Sequence, residues 1–280
     1  MKINKLKTLL VLAIGTVIIS CENEQTENLD LNQDVKDEMI IDYLTGRKSS
    51  SDCHFEYEGV EGPEFWDSLC SGAWTDCGGN TQSPINIEDS SAIENQGLGD
   101  IATSFGSSTT EIVNNGHTIK FIYNSGSTST INGITYTLKQ FHLHTGSEHT
   151  VDGVRSPMEA HLVHQDPITG DLAVIGIFFE EGAENEMLSN FMNDLPVNGG
   201  GHYNSSFTFN VEDILPADMN YYTYNGSLTT PPCSEIVTWY VLKNPVEASQ
   251  EQLHSFETIM HENFRPVQAL NGRVVSTNNN

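Results

Sequence analysis

Three histidines, His142, His144 and His161, carry the densest chemical signal in the sequence. His142 and His144 are two positions apart, and in a β-strand residues i and i+2 face the same side. Two imidazoles therefore stand side by side over one sheet surface. His161 follows His144 by 17 positions, past a turn-rich stretch with Asp152, Gly153, Ser156 and Pro157. That distance suits a neighbouring strand that returns antiparallel and brings a third imidazole to the same point. Three neutral imidazoles with one open position make a catalytic zinc (Zn2+) site, whereas structural zinc sites are more often closed by four ligands that include cysteine. Glu159 shares a strand face with His161 and is placed to take the Nδ1 proton of a ligand histidine, which fixes the tautomer. Glu148 and His149 are candidates for the same supporting role. His164 lies an odd number of places from His161, faces the other way, and reads as a core or hydrogen-bonding residue. A lone strand histidine is usually packed or solvated; the pair, the third imidazole and the nearby carboxylates lift this set above that reading.

The elements that must hold the cluster read as mostly β. Strand-like runs rich in Val, Ile, Thr, Phe and Tyr fall at residues 111–113, 118–123, 134–144, 159–164, 172–179 and 236–242, separated by Gly, Asn, Asp and Ser turns. The run 172–179 is apolar throughout and predicts a central strand. Helices are expected to be short, at about 184–195 and 249–262. No internal repeat is present.

The N-terminus predicts export. Lys2, Lys5 and Lys7 precede an apolar run from Leu9 to Ile19, which reads as a signal peptide over residues 1–20 and is too short for a span of about 20 residues. Ile18-Ile19-Ser20-Cys21 reads as a lipoprotein cleavage box with Cys21 lipidated, so the mature chain sits on a membrane without crossing it, facing the periplasm or the cell surface. Residues 21–52 follow as an acidic tether with little apolar content; one short helix at 37–44 is conceivable within a solvated spacer. The formal net charge is −26 from 12 basic and 38 acidic residues, and loss of the three signal lysines leaves −29. Such a chain excludes nucleic acid and anionic membrane surfaces as partners. About 225 residues remain, enough for one sizeable core, as a monomer or homodimer. Cys53, Cys70, Cys77 and Cys233 allow three disulfide connectivities, and disulfides persist outside the cytoplasm.

An ordered set of motifs resembles the α-class carbonic anhydrases. It comprises Gln82-Ser-Pro-Ile-Asn-Ile87, Asn114-Asn-Gly-His117, Gln140-Phe-His-Leu-His144, Ser147-Glu-His-Thr-Val-Asp152, Met158-Glu-Ala-His-Leu-Val-His164, Gly226-Ser-Leu-Thr-Thr-Pro-Pro-Cys-Ser-Glu235 and Arg265-Pro-Val-Gln-Ala-Leu-Asn-Gly-Arg273. The resemblance covers roughly residues 53 to 275. It implies a mostly β (α+β) domain over residues 53–276 with a short tail at 277–280. The domain would hold a large twisted, mostly antiparallel central sheet, short peripheral helices and a metal at the base of a conical cleft. It implies the interconversion of carbon dioxide and bicarbonate by zinc hydroxide.

Carried over residue by residue, the resemblance makes His142, His144 and His161 the ligands, supported by Gln140, Glu159 and the buried His149. Thr229 would accept a hydrogen bond from the hydroxide and donate to Glu148, with Thr230 at the mouth. Val163, Val174, Leu228 and Trp239 would form the dry wall for carbon dioxide, although by residue type alone they are ordinary core. His117 would carry the proton out, with Asn115 and Tyr57 ordering the water chain. A Cys77–Cys233 disulfide is implied, and Cys53–Cys70 then follows. The chain departs from the family pattern at Thr145, where Trp is usual, at Phe65-Trp66, where His-Trp is usual, and at Lys120, where a polar amide is frequent. Two alternatives remain: a catalytically silent binding or adhesion domain on the same fold, and a zinc esterase.

Overall fold

The computed structural model describes residues 40–44, 53–124 and 126–278. The expected signal peptide, the expected lipidation site at Cys21 and most of the expected tether lie outside the described residues. In chain order the strands are β1 (Asn86–Ile87), β2 (Ile93–Glu94), β3 (Ala102–Ser104), β4 (Glu111–Asn114), β5 (Ile119–Ile122), β6 (Thr128–Ile131), β7 (Ile134–Thr145) and β8 (Thr150–Val151). They continue as β9 (Val154–Arg155), β10 (Met158–Gln165), β11 (Leu172–Glu181), β12 (His202–Asn204), β13 (Tyr221–Gly226), β14 (Val237–Leu242), β15 (Val246–Ala248) and β16 (Ser276–Thr277). Helix α1 is described over residues 40–44; α2 (Glu186–Phe191) and α3 (Gln250–Met260) follow.

Among the described residues, 13 strands form one twisted sheet along the path β12-β4-β5-β7-β10-β11-β14-β13-β16-β2, with β3, β6 and β15 branching from it. Most pairings are antiparallel, as expected; β11–β14, β11–β15 and β16–β2 are parallel and make the sheet mixed. The apolar run at 172–179 lies in β11, whose first eight residues are all buried. Its side chains alternate between two cores. Ala173, Ile175, Ile177 and Phe179 enter the larger one, with Met187, Leu188 and Phe191 of α2 and Phe256 and Met260 of α3. Leu172, Val174 and Phe178 enter the other, with Val163, Leu228 and Trp239. The period-2 geometry of the strand thus separates a helix-covered face from the face that carries the histidines.

Both helices are shorter than the sequence suggests. Asn185 caps α2 by accepting from the Leu188 amide, and Ser249 caps α3 in a reciprocal pair with Gln252. The C-terminal boundary needs correction. Residues 277–278 are not a free tail, because β16 pairs with β13 and β2 and Asn278 Oδ1 accepts from the Tyr221 amide at 2.7 Å. The reading of residues 40–44 as solvated spacer also needs correction. The chain there is helical and packs on the domain, with Leu44 only 5% exposed, because its apolar side chains meet an apolar cleft wall.

Candidate active site

The register of two strands assembles the histidines. On the antiparallel pair β7 and β10, His142 stands opposite His161 and His144 opposite Glu159. All three rings are buried, with centroids 4.7 to 5.2 Å apart, and their nitrogens approach within 4.8 Å of one another. Each ring is oriented by one acceptor behind it. His142 Nδ1 donates to Gln140 Oε1 at 2.9 Å, His144 Nδ1 to the Asn263 carbonyl at 2.7 Å, and His161 Nε2 to Glu159 Oε1 at 2.9 Å. The inner atoms His144 Nε2 and His161 Nδ1 are buried with no hydrogen-bond partner among the described residues. An uncompensated buried nitrogen is costly, and two of them aimed at a third imidazole fit a metal ion. Burial first, then the neighbouring charges of His144, His161 and Lys120, lower the pKa of His142. Burial likewise lowers that of His144, against the pull of Glu148. His142 and His144 are therefore held toward the neutral form, the state that ligates metal. A second group, His149, Glu159 and His161, also comes close together, but its atoms are already joined by short hydrogen bonds and leave no ligand free.

Glu159 supports His161 as expected, but through Nε2 and not Nδ1. Strand periodicity fixes the face on which the ring stands and leaves its flip to the surrounding acceptors. The same Oε1 accepts from His149 Nδ1 at 2.8 Å, and Oε2 accepts from the His149 amide at 2.9 Å. Burial alone would raise the Glu159 pKa; the charges and hydrogen bonds of His149 and His161 outweigh it and hold the carboxylate well below its ordinary range. Gly176 lies opposite His161 on β11. A Cβ there would come within 2.9 Å of Glu159 Oε1, so the glycine in this apolar strand makes room for the carboxylate. His149 Nε2 lies 2.7 Å from the Tyr224 hydroxyl. His164 is buried in the opposite direction, bonded to Ser129 and the Leu162 carbonyl.

Val163 and Val174 are paired across β10 and β11, and Val174 and Trp239 across β11 and β14. The Trp239 ring lies 4.8 Å from the His161 ring, and Leu228 joins the same buried cluster. A continuous apolar wall thus runs up to the third imidazole. Thr229 is buried beside it, but the expected bond to Glu148 is not formed. Glu148 Oε2 has no hydrogen-bond partner among the described residues; it faces the imidazoles, 3.4 Å from His144 Nε2 and 3.8 Å from His161 Nδ1. Cys77–Cys233 and Cys53–Cys70 both form disulfides. The first ties the segment before Gln82 to the loop of Thr229 and Thr230.

A cleft of about 370 Å³ opens at His142 and His144, and its lining includes Asn115, His117, Thr230, Tyr43, His54 and Phe55. Asn115 Oδ1 accepts from the His117 and Thr118 amides, which fixes the turn. His117 stacks on Phe55 with centroids 3.9 Å apart, and the exposed His54 lies 5.7 Å away. Burial, then the positive charges of His54 and Lys120, lower the His117 pKa to about 4. Tyr57 lies 6.4 Å from His117, its hydroxyl buried without a partner among the described residues. Burial and the charge of Glu148 push its pKa up.

Several contributors carry no role assigned from the sequence, and Asn263 gives no signal there at all. Asn263 offers its backbone oxygen to His144, its side-chain oxygen to the Thr145 amide at 2.8 Å, and its amide nitrogen to the His117 carbonyl at 2.9 Å. Thr145, where the family has Trp, is buried and also bonds the His261 carbonyl, so the end of β7 is fastened by hydrogen bonds. Arg265 is buried, donates to Gln82, Ser83 and Cys77, and presents its amide to Glu148 Oε1 at 2.9 Å.

Comparisons with known proteins agree with this geometry. A family model described as eukaryotic-type carbonic anhydrase matches residues 61–279. A carbonic anhydrase of Pectobacterium atrosepticum is 38% identical over 238 residues, covering 85% of this chain and 96% of that protein. One from Neisseria gonorrhoeae is 41% identical over 224 residues, covering 79% and 87%. The solved α-carbonic anhydrase of Thermovibrio ammonificans, in complex with the inhibitor sulfanilamide, superposes with a TM-score of 0.78 at 42% identity, covering 81% of this chain and 100% of that one.

Proposed function

The chain belongs to the eukaryotic-type, or α-class, carbonic anhydrase family, and we propose that it hydrates carbon dioxide reversibly with zinc held by His142, His144 and His161. One observation carries the reading: three buried imidazoles are each oriented from behind by an acceptor while their inner nitrogens converge. Borderline-soft zinc suits an all-imidazole donor set. When bound there, zinc supplies a Lewis acid that makes water nucleophilic near neutral pH.

The chain's own residues do the rest. Val163, Val174, Leu228 and Trp239 exclude bulk water and receive an apolar substrate beside His161. Glu148 Oε2 is a buried acceptor without a partner among the described residues, and it is the group to which the Thr229 hydroxyl donates during turnover, orienting the nucleophile. His117 moves the product proton toward solvent. Burial lowers its pKa to about 4, which favours release of the proton it carries, and the exposed His54 ring lies 5.7 Å away. Asn115 fixes the turn that aims His117. Silent binding domains on this fold usually lack one or more ligand histidines, and this chain keeps all three. The two disulfides favour an oxidising compartment, in line with export and lipid anchoring through Cys21.

Metal analysis and stopped-flow carbon dioxide hydration on one purified sample, with an ester assay beside them, test the reading. Zinc is expected at one per chain in the parent and largely lost in His144→Ala. A folded His144→Ala protein with full zinc would remove that ligand, and a zinc-loaded parent that cleaves ester without hydrating carbon dioxide would favour the esterase.

A further inference from the structure

Residues 40–44 lie against the apolar side of the cleft, and we propose that this face is a binding site for that segment of the chain itself, which competes there with substrate. The consequence for catalysis rests on the zinc hydration reading; the docking rests on geometry alone. Leu44 belongs to the same buried cluster as Val163, Val174, Leu228 and Trp239, and Ile40 and Tyr43 pack against it. The Tyr43 ring meets His142 edge-on at 5.8 Å. A second anchor is polar. Lys120 stands opposite His142 on the adjacent strand, donates from Nζ to the Tyr43 carbonyl at 3.0 Å, and lies 4.2 Å from the centre of the Tyr43 ring. The backbone contact and the cation–π contact hold the segment at the point where the family pattern has a polar amide.

The arrangement divides the cleft. Leu44 is buried in the cluster that holds the wall proposed for a small apolar substrate, while Tyr43 and Asp42 line the space that still reaches His117, Asn115 and Thr230. Burial lowers the Lys120 pKa to about 7, with Asp42 opposing, which reflects how fully this corner is shielded. The segment is covalently attached, so its local concentration is high and modest affinity suffices for docking.

Hydrogen–deuterium exchange, carbon dioxide hydration and sulfanilamide titration on the zinc-loaded full chain test this, comparing the parent with Leu44→Asp and Leu44→Met. The parent amides of residues 40–44 are expected to be protected. Leu44→Asp should abolish that protection and raise kcat/KM and sulfanilamide affinity about tenfold or more, because a carboxylate cannot enter an apolar pocket. Leu44→Met, of similar volume, should behave as the parent does. Exchange at free-peptide rates in the parent would overturn the docking. Lost protection in Leu44→Asp with unchanged kcat/KM and sulfanilamide affinity would overturn the competition. Absence of hydration in every zinc-loaded form would refute the hydration reading instead, and equal sulfanilamide affinities would still overturn the competition on their own.

Discussion

Replacing Glu159 by Gln probes the support beneath the metal cluster with almost no change of shape. Glu159 Oε1 accepts from both His149 Nδ1 and His161 Nε2, and Oε2 accepts from the His149 amide. Gln has one oxygen and one NH2 group. With the oxygen toward the imidazoles, the NH2 faces the His149 N–H, donor against donor; flipped, it faces two ring N–H groups. Either way at least one buried donor loses its acceptor, at about 1–3 kcal/mol. The surviving bonds also lose their charge assistance, so a loss of about 2–4 kcal/mol in folding stability is expected. His161 loses an anionic partner, and zinc affinity should fall by about 10- to 100-fold. Urea unfolding and zinc competition with a chromophoric chelator, run on the same preparations, read the two effects. A Glu159→Gln protein within about 0.5 kcal/mol of the parent and within about threefold in zinc affinity would refute the reasoning.

His117→Ala should lower turnover in dilute buffer while exchange of carbon dioxide and bicarbonate continues, and added imidazole should restore part of the rate; loss of exchange, or no rescue, would make His117 structural. Serine at Cys233 should lower stability by about 2–5 kcal/mol and raise KM through the freed Thr229 loop, and unchanged values in both measurements would reject that tie. His164 is fully buried with a folded pKa of about 4 against 6.5. The unfolded chain therefore binds more protons between those values, and stability is full above pH 6.5 and lost as pH falls toward 4, by about 3 kcal/mol from this residue. Urea unfolding at pH 6.5 and 4.5 should show a shallower loss in His164→Gln than in the parent; equal losses would count against this assignment.

The ligand cluster was legible because it rests on the two simplest rules of a sheet. His142 and His144 share a face by alternation, and the turn before Met158 returns a strand antiparallel, so His161 lands opposite His142. Those rules stop at the Cβ atom. Which nitrogen of His161 meets Glu159 depends on acceptors from elsewhere in the chain, and so does the orientation of Glu148. Asn263 was illegible for a related reason: its contribution to His144 is a backbone oxygen, which no residue type announces. The helical tendency near residue 44 was visible, but its docking was not, since five residues carry too short a pattern to say which surface they meet.

One short stretch after α3 explains why these separately encoded parts act together. Asn263 joins the histidine-bearing strand β7 through Thr145 and His144 and the Asn115–His117 turn through the His117 carbonyl. Two residues later, the Arg265 amide holds Glu148, and its guanidinium reaches Gln82, Ser83 and the Cys77 carbonyl. Cys77 is in turn bonded to Cys233, beside the Thr229 loop. The histidine cluster, the His117 turn, Glu148 and the Thr229 loop therefore share one mechanical reference. A bulky aromatic at the end of β7 would fix that strand by packing. Thr145 instead fixes it by hydrogen bonds to the same stretch, so the exchange of Trp for Thr keeps the attachment and changes its physical basis.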